Sequence, residues 1–163
     1  MAVNSLQDLF VHTLSDIYYA ENQILKALPK MAEQAKSEDL REAFQQHLEE
    51  TRGQVQRLEQ VFQMCNVPAK GERCDAIEGI IKEANGLAAE ITDEEVRDAG
   101  ILAAAQAVEH YEISRYGTLI AWAEQLEMDD AIDLLEQNLE EEKNADRLLT
   151  EIAEGDINED ASS

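Results

Sequence analysis

Residues 28–50, LPKMAEQAKSEDLREAFQQHLEE, return in outline 91 positions later as residues 119–141, LIAWAEQLEMDDAIDLLEQNLEE. Leu28 falls on Leu119, Ala32-Glu33-Gln34 on Ala123-Glu124-Gln125, and Leu48-Glu49-Glu50 on Leu139-Glu140-Glu141. Upstream, the same offset lays Glu21 on Glu112. One offset that aligns separate segments marks a duplicated unit. Each half reads as a long helical hairpin with an acid on its inner face, so the duplication predicts a bundle whose carboxylates meet near its middle.

Composition agrees. The 163 residues are enough for one domain with a sizeable core, and with 7 Gly and 2 Pro the chain is poor in the residues that turn-dense sheets need. The expected class is all-α. A net charge of -23, from 36 acids against 13 Lys and Arg, excludes direct nucleic-acid binding, which requires clustered cations, and makes metal cations the expected company. Cys65 and Cys74 flank the loop after the second helix with no His at zinc-ligand spacing, which points to a reduced intracellular protein. With no leader-like start and no run of eighteen apolar residues, a cytoplasmic protein without a membrane partner is expected.

The spacing predicts a first helix over about 5–35, capped by Ser5, with the stripe Phe10, Leu14, Ile17, Glu21, Ile24, Leu28 and Met31 and a kink at Pro29. Ser37 caps a second helix carrying Leu40, Phe44, Leu48, Val55, Leu58 and Phe62, which Asn66-Val67-Pro68 ends. A shorter helix over Asp75 to Glu90 belongs to the crossover. Thr92-Asp93-Glu94-Glu95 reads as a capping box opening a third bundle helix, which runs to about Glu127. After a turn near Met128-Asp129, a fourth shows the stripe Leu134, Asn138, Glu141, Ala145, Leu148 and Ile152. From Gly155 the chain is polar and aperiodic, which gives a bundle over 1–154 and an acidic flexible tail over 155–163.

Carboxylates moved into an apolar interior lose several kcal/mol each unless something neutralises them, and two divalent cations bridged by carboxylates do so. The repeat selects Glu21 and Glu112 on the first and third helices and Glu50 and Glu141 on the second and fourth. A competing stripe, Leu135, Leu139, Glu142, Asp146 and Leu149, leaves Glu142 as the alternative to Glu141. In such bundles two helices carry Glu-x-x-His pairs, but here Gly53 and Asn144 stand where the histidines would be. His47, one turn before Glu50, can offer a nitrogen, a hydrogen-bonded or surface histidine being the alternative. Glu109 lies one turn before Glu112 on the same stripe. Gln54 and Asn144 are expected to orient carboxylates, His110 and Tyr111 to point away, His12 to lie at the surface or an interface, Tyr18 to pack or to hydrogen-bond a carboxylate, and Tyr116 and Trp122 to serve the core or a dimer contact.

Four stretches, Asp16 to Gln23 (DIYYAENQ), His47 to Leu58 (HLEETRGQVQRL), Val108 to Leu119 (VEHYEISRYGTL) and Leu139 to Lys143 (LEEEK), together resemble the YciF/YciE-like proteins of the ferritin-like superfamily over roughly residues 4 to 152. The resemblance implies a ferritin-like four-helix bundle with a crossover helix, a di-iron or other dimetal site, homodimers and a bacterial stress-related setting, with ferroxidase as the usual label. Glu109-x-x-Glu112 resembles the third helix of rubrerythrins, where an extra carboxylate serves the site. The expected ligands are therefore Glu21, His47, Glu50, Glu109, Glu112 and Glu141, around two divalent ions, iron first and manganese second, acting on dioxygen or peroxide. The alternative is a non-enzymatic, metal-stabilised structural or interaction dimer.

Overall fold

Two serines open the first hairpin as expected: Ser5 Oγ accepts from the Asp8 amide at 3.0 Å and Ser37 Oγ from the Leu40 amide at 3.3 Å, each satisfying a first-turn donor. The computed structural model describes residues 3–163. Helix α1 spans Leu6–Gln34, α2 Glu38–Met64, α3 Asp75–Glu90, α4 Glu94–Gln125 and α5 Asp129–Ile152. Helix α1 runs through Pro29 without a break. Asn66 and Glu127, both at φ 55°, take the left-handed conformation that ends α2 and turns α4 into α5.

Helix α1 packs on α2 and α4, and α5 packs on the same two, which closes a four-helix bundle with α3 in the crossover. The chain leaving α2 crosses the start of α1, where the Glu72 amide donates to Ser15 O at 3.3 Å. Gly71 permits this approach, since a Cβ there would stand 3.1 Å from Tyr19 Cβ and 3.2 Å from its Cα. Helix α3 then travels along α1, with Tyr19 donating to Glu78 near one end and Lys30 Nζ reaching Asn85 Oδ1 at 3.4 Å near the other. At the far end, buried Asp98 of α4 accepts from the Lys36 amide at 2.9 Å and the Ser37 amide at 2.7 Å. That clamp starts α4 beside the α1–α2 turn, so α4 runs antiparallel to α1 and brings Glu112 and Tyr116 level with Glu21.

Three details differ from expectation. Asp93, not Thr92, caps α4: its Oδ1 accepts from the Glu95 amide at 2.9 Å and the Val96 amide at 3.0 Å, one residue into the proposed box. In α5 the buried residues are Ala131, Leu135, Asn138, Glu142 and Leu149, so the stripe through Leu134, Glu141 and Leu148 is turned by one residue, roughly 100°. Both stripes are half apolar. The one with fully buried Ala131 and Leu135 wins, because Arg57 across the groove gives Glu141 a partner outside the core. The expected free tail is helical instead: a π-helical turn over Ala153–Ile157 leads into α6, Asn158–Ala161, and buries Ala153 and Ile157 against α4.

Among the described residues, no helix is long and apolar enough to cross a membrane. Ile157 is the one large apolar side chain anchoring the terminal segment. Ile157→Ala should cost about 2 kcal/mol, lowering the melting temperature by roughly 4–8 °C; an unchanged thermal melt would mean that the segment does not dock.

Candidate metal centre

Each bundle helix delivers an inward group at one level. Helix α1 supplies Glu21, α2 supplies His47, α4 supplies Glu109 and Glu112 one turn apart, and α5 supplies Glu142. All five are buried. One ligand atom from each of His47, Glu109, Glu112 and Glu142 can be chosen so that all lie within 4.8 Å of one another. His47 Nε2 stands 3.1 Å from Glu109 Oε1 and 3.6 Å from Glu142 Oε2, and its Nδ1 stands 3.6 Å from Glu50 Oε2. Neither ring nitrogen is aligned for a hydrogen bond. Glu109, Glu112 and Glu142 crowd together, and Glu21 adjoins Glu112.

Burial governs the electrostatics. Loss of water, compounded by the Glu142 charge, pushes Glu21 up to about 8, although the Tyr116 hydroxyl opposes the shift. Burial likewise raises Glu109 to about 7, with Glu21 and Asp146 adding to it and a hydrogen bond with Glu142 opposing it. Glu112 and Glu142 lie well above the carboxylate range, again from burial first and neighbouring acids second. Burial alone would lower His47, but Glu142, Glu50 and Glu21 outweigh it and hold the imidazole above its usual value. Glu50 goes the other way, because the His47 imidazole 3.6 Å away keeps its carboxylate ionised against partial burial. Burial thus favours the protonated form of the inner acids and leaves the ionised form favoured at the edge, on Glu50.

The donor set fits a hard cation. Beyond the contacts among the acids themselves, both oxygens of Glu112 and Glu142 and one oxygen each of Glu21 and Glu109 have no hydrogen-bond partner. Unpaired buried acceptors are costly, and a divalent ion bound by carboxylates and one imidazole would satisfy them together.

A chain of hydrogen bonds braces the centre from one side. The Tyr116 hydroxyl donates to Glu21 Oε1 and accepts from Asn138 Nδ2 at 3.1 Å, while Asn138 Oδ1 accepts from Arg57 Nε. Asn138 Nδ2 also reaches Gln54 O at 3.3 Å, and Arg57 pairs with Glu141. The arginine lies over Gly53, where a Cβ would make only an ordinary contact, 3.5 Å from Arg57 Nη1. Where a Glu-x-x-His pair would place its histidine, this chain has an arginine clamp between α2 and α5.

Of the six expected ligands, Glu21, His47, Glu109 and Glu112 come together. Glu50 stands at the rim with a side chain 25% exposed, and Glu141, at 28%, is turned toward Arg57 while Glu142 takes the inner position. Tyr116, Asn138 and Arg57 join the site beyond the expected ligands. Tyr116 and Asn138 lie on the very stripes that carry the acids, which was the available signal; nothing in the spacing singles out Arg57. Tyr18 donates to Glu59 at 3.1 Å and packs edge-on against Phe62, away from the site. His110 is exposed beside Asp146, Tyr111 meets Cys74 Sγ at 3.0 Å, and His12 lies outside the bundle between Asp16 and Glu72. Gln54 is buried, whereas Asn144 is exposed and holds Arg147 at 2.6 Å.

A family model described as a domain of unknown function (DUF892) matches residues 5–162. Protein YciF of Escherichia coli K12 is 46% identical over 164 aligned residues, covering 100% of this chain and 99% of that protein. The crystal structure of the E. coli stress protein YciF superposes with a TM-score of 0.90 at 48% identity, covering 96% of this chain and 99% of its own. YcfI of Rhodopseudomonas palustris, for which a structural role has been suggested, gives 0.89 at 55% identity over 91% of this chain and 94% of its own. A Xanthomonas campestris protein at 24% identity, with a TM-score of 0.70 over 92% of each chain, shares the fold.

The raised values set a pH dependence for the metal-free chain. An acid with a higher pKa folded than unfolded binds more protons in the native state, so its stabilisation is complete below the unfolded value and is lost as pH climbs through the folded one. For Glu109 at about 7 and Glu21 at about 8, the window runs from about 4.5 to 8, and His47, also raised, has the same sign. Metal-free protein should therefore melt at lower temperature at pH 8 than at pH 5, and Glu21→Gln should flatten the slope. A melting temperature that rises over this interval would contradict the assignment.

Proposed function

We propose, on the premise that this chain belongs to the DUF892 family of YciF-like proteins, that its buried acids and His47 form a dimetal centre, with iron or manganese as the metal, acting on dioxygen or peroxide. The observation that carries this reading is the set of partnerless carboxyl oxygens from Glu21, Glu109, Glu112 and Glu142 gathered around one imidazole in the dry middle of the bundle.

Glu109, Glu112, Glu142 and His47 would hold the ions, with Glu21 completing the set from α1. When bound, such metals supply the electrons that reduce dioxygen or peroxide, which is ferroxidase or peroxide-handling chemistry. The chain's own groups do the rest. Tyr116 fixes one oxygen of Glu21 and leaves Oε2 free to ligate, and Asn138 fixes Tyr116. Glu50, ionised and partly exposed beside His47, lies on a narrow opening between α2 and α5 and would draw cations inward. A homodimeric, cytoplasmic protein fits the same reading.

A second reading, a metal-stabilised structural protein, is favoured by the replacement of both Glu-x-x-His histidines and by the structural role suggested for YcfI. Both readings put metal in the same place. Anaerobic loading with Fe(II) should give about two irons per chain. Glu142→Ala and Glu112→Ala should each lose at least one, whereas Glu141→Ala should keep both; the reverse order for Glu141 and Glu142 would overturn the site. Admitting oxygen should then produce a ferric near-ultraviolet absorption. A loaded protein inert to oxygen and peroxide, whose metal-free form is unfolded, would establish the structural reading instead.

A further inference from the structure

Beneath the second half of α3 lies a cavity of about 240 Å³, bounded by α1, α3 and α4 and reaching the metal centre at His47 and Glu109. Small side chains create it. Ala84 and Ala88 of α3 and Ala104 and Ala105 of α4 line it, and α3 buries only Ile77, toward its opposite end, while Leu87 is left 46% exposed. The volume exceeds the roughly 150 Å³ at which an engineered apolar cavity takes up benzene.

The lining is graded from end to end. Ile24, Leu28, Met31, Ile81, Ile101 and Val108 make apolar walls, and the buried His47 and Glu109 close the floor. Exposed Lys26 and Lys30 stand at the rim. Among the described residues neither lysine makes an ion pair, and Lys30 has only its 3.4 Å hydrogen bond to Asn85. In a chain with 36 acids and 13 Lys and Arg, Glu109 is the single acid among the lining residues, and it sits at the inner end. The rim is thus cationic on a molecule that is anionic almost everywhere else.

We propose that this cavity binds a small amphipathic carboxylate, with its apolar tail toward His47 and Glu109 and its anionic head at Lys26 and Lys30. The opposite orientation would set a carboxylate against Glu109 and strand both lysines. Binding draws on the cavity alone; delivery of the tail to the metal centre rests on the reading of that centre given above, and makes the tail the group presented to bound metal.

Calorimetric titration of the full chain with octanoate, in metal-free and Mn(II)-loaded forms, tests this, with octylamine and butyrate as comparison ligands. Octanoate should bind saturably with a Kd of about 1 mM or tighter, and at least about tenfold more tightly than either comparison ligand. Ala84→Leu, which fills the cavity from a partly exposed helix, should abolish binding with the helical circular dichroism and thermal melt retained. The double substitution Lys26→Glu and Lys30→Glu should weaken octanoate by about 5- to 25-fold, with little effect on octanol titrated as an uncharged ligand of the same chain length. Equal binding of octylamine, or octanoate binding unchanged in both variants, would overturn the proposal. So would a protein that takes up metal normally but shows no saturable octanoate binding. Octanoate binding by a protein that takes up no metal would sustain the cavity site and remove the metal centre.

Discussion

The structure is organised around five ionisable groups held away from water at one level of a helical bundle. Left ionised and unpaired, each acid would cost several kcal/mol, so the interior must keep protons on them or put a cation among them. The surroundings follow from that demand. Glu109 and Glu142 share a contact, Glu21 takes the Tyr116 hydroxyl, and Asn138 fixes that hydroxyl in turn. Arg57, the nearest guanidinium in this network, is spent on Asn138 and Glu141 and does not enter the cluster. Among the described residues no arginine or lysine pairs with Glu21, Glu109, Glu112 or Glu142, and His47 is the one basic side chain paired with these acids, so further positive charge has to come from elsewhere.

The duplicated halves are alike in geometry and unlike in chemistry. Glu21 and Glu112, which overlay in the repeat, both point inward. On α2 and α5 the inward positions also overlay: His47 on Asn138, and Thr51 on Glu142, all four buried. Glu50 and Glu141 overlay as well, and both stand partly exposed beside the inner stripe. The repeat therefore conserved which positions face inward while the residues there diverged, one copy keeping an imidazole where the other has an amide. That divergence makes the centre one-sided, with its nitrogen from α2, its fourth acid from α5 and its bracing network on the Asn138 side.

Helix number, order, crossover and most boundaries were legible in the chain because each rests on local signals: Ser5 and Ser37 as caps, Asn66 as a stop, and an apolar spacing that persists across Pro29. Glu21, Glu109 and Glu112 were legible because their stripes are otherwise apolar and unambiguous. The register of α5 was not, because two adjacent stripes are each half apolar and the choice between them depends on Arg57, a partner 84 residues from Glu141 in sequence. The terminal helix was hidden by a π-helical turn, whose wider spacing leaves only Ala153 and Ile157 to mark a buried face in a polar segment. The role of Tyr116 depended on the level at which α4 passes α1, which the Asp98 clamp sets at the far end of the bundle.

If protons occupy the cluster in the absence of metal, a cation must displace them. Calorimetric titration of metal-free protein with Mn(II) at pH 6.5, repeated in buffers of different ionisation enthalpy, counts the protons released on binding. Burial holds Glu21 at about 8 and Glu109 at about 7 and raises Glu112 and Glu142 in the same direction, so saturation at that pH should release about one or more protons per chain. Tight binding with no proton release would place the metal on surface carboxylates that are already ionised, and no binding by a folded chain would leave the buried acids as a proton-sharing core without a metal.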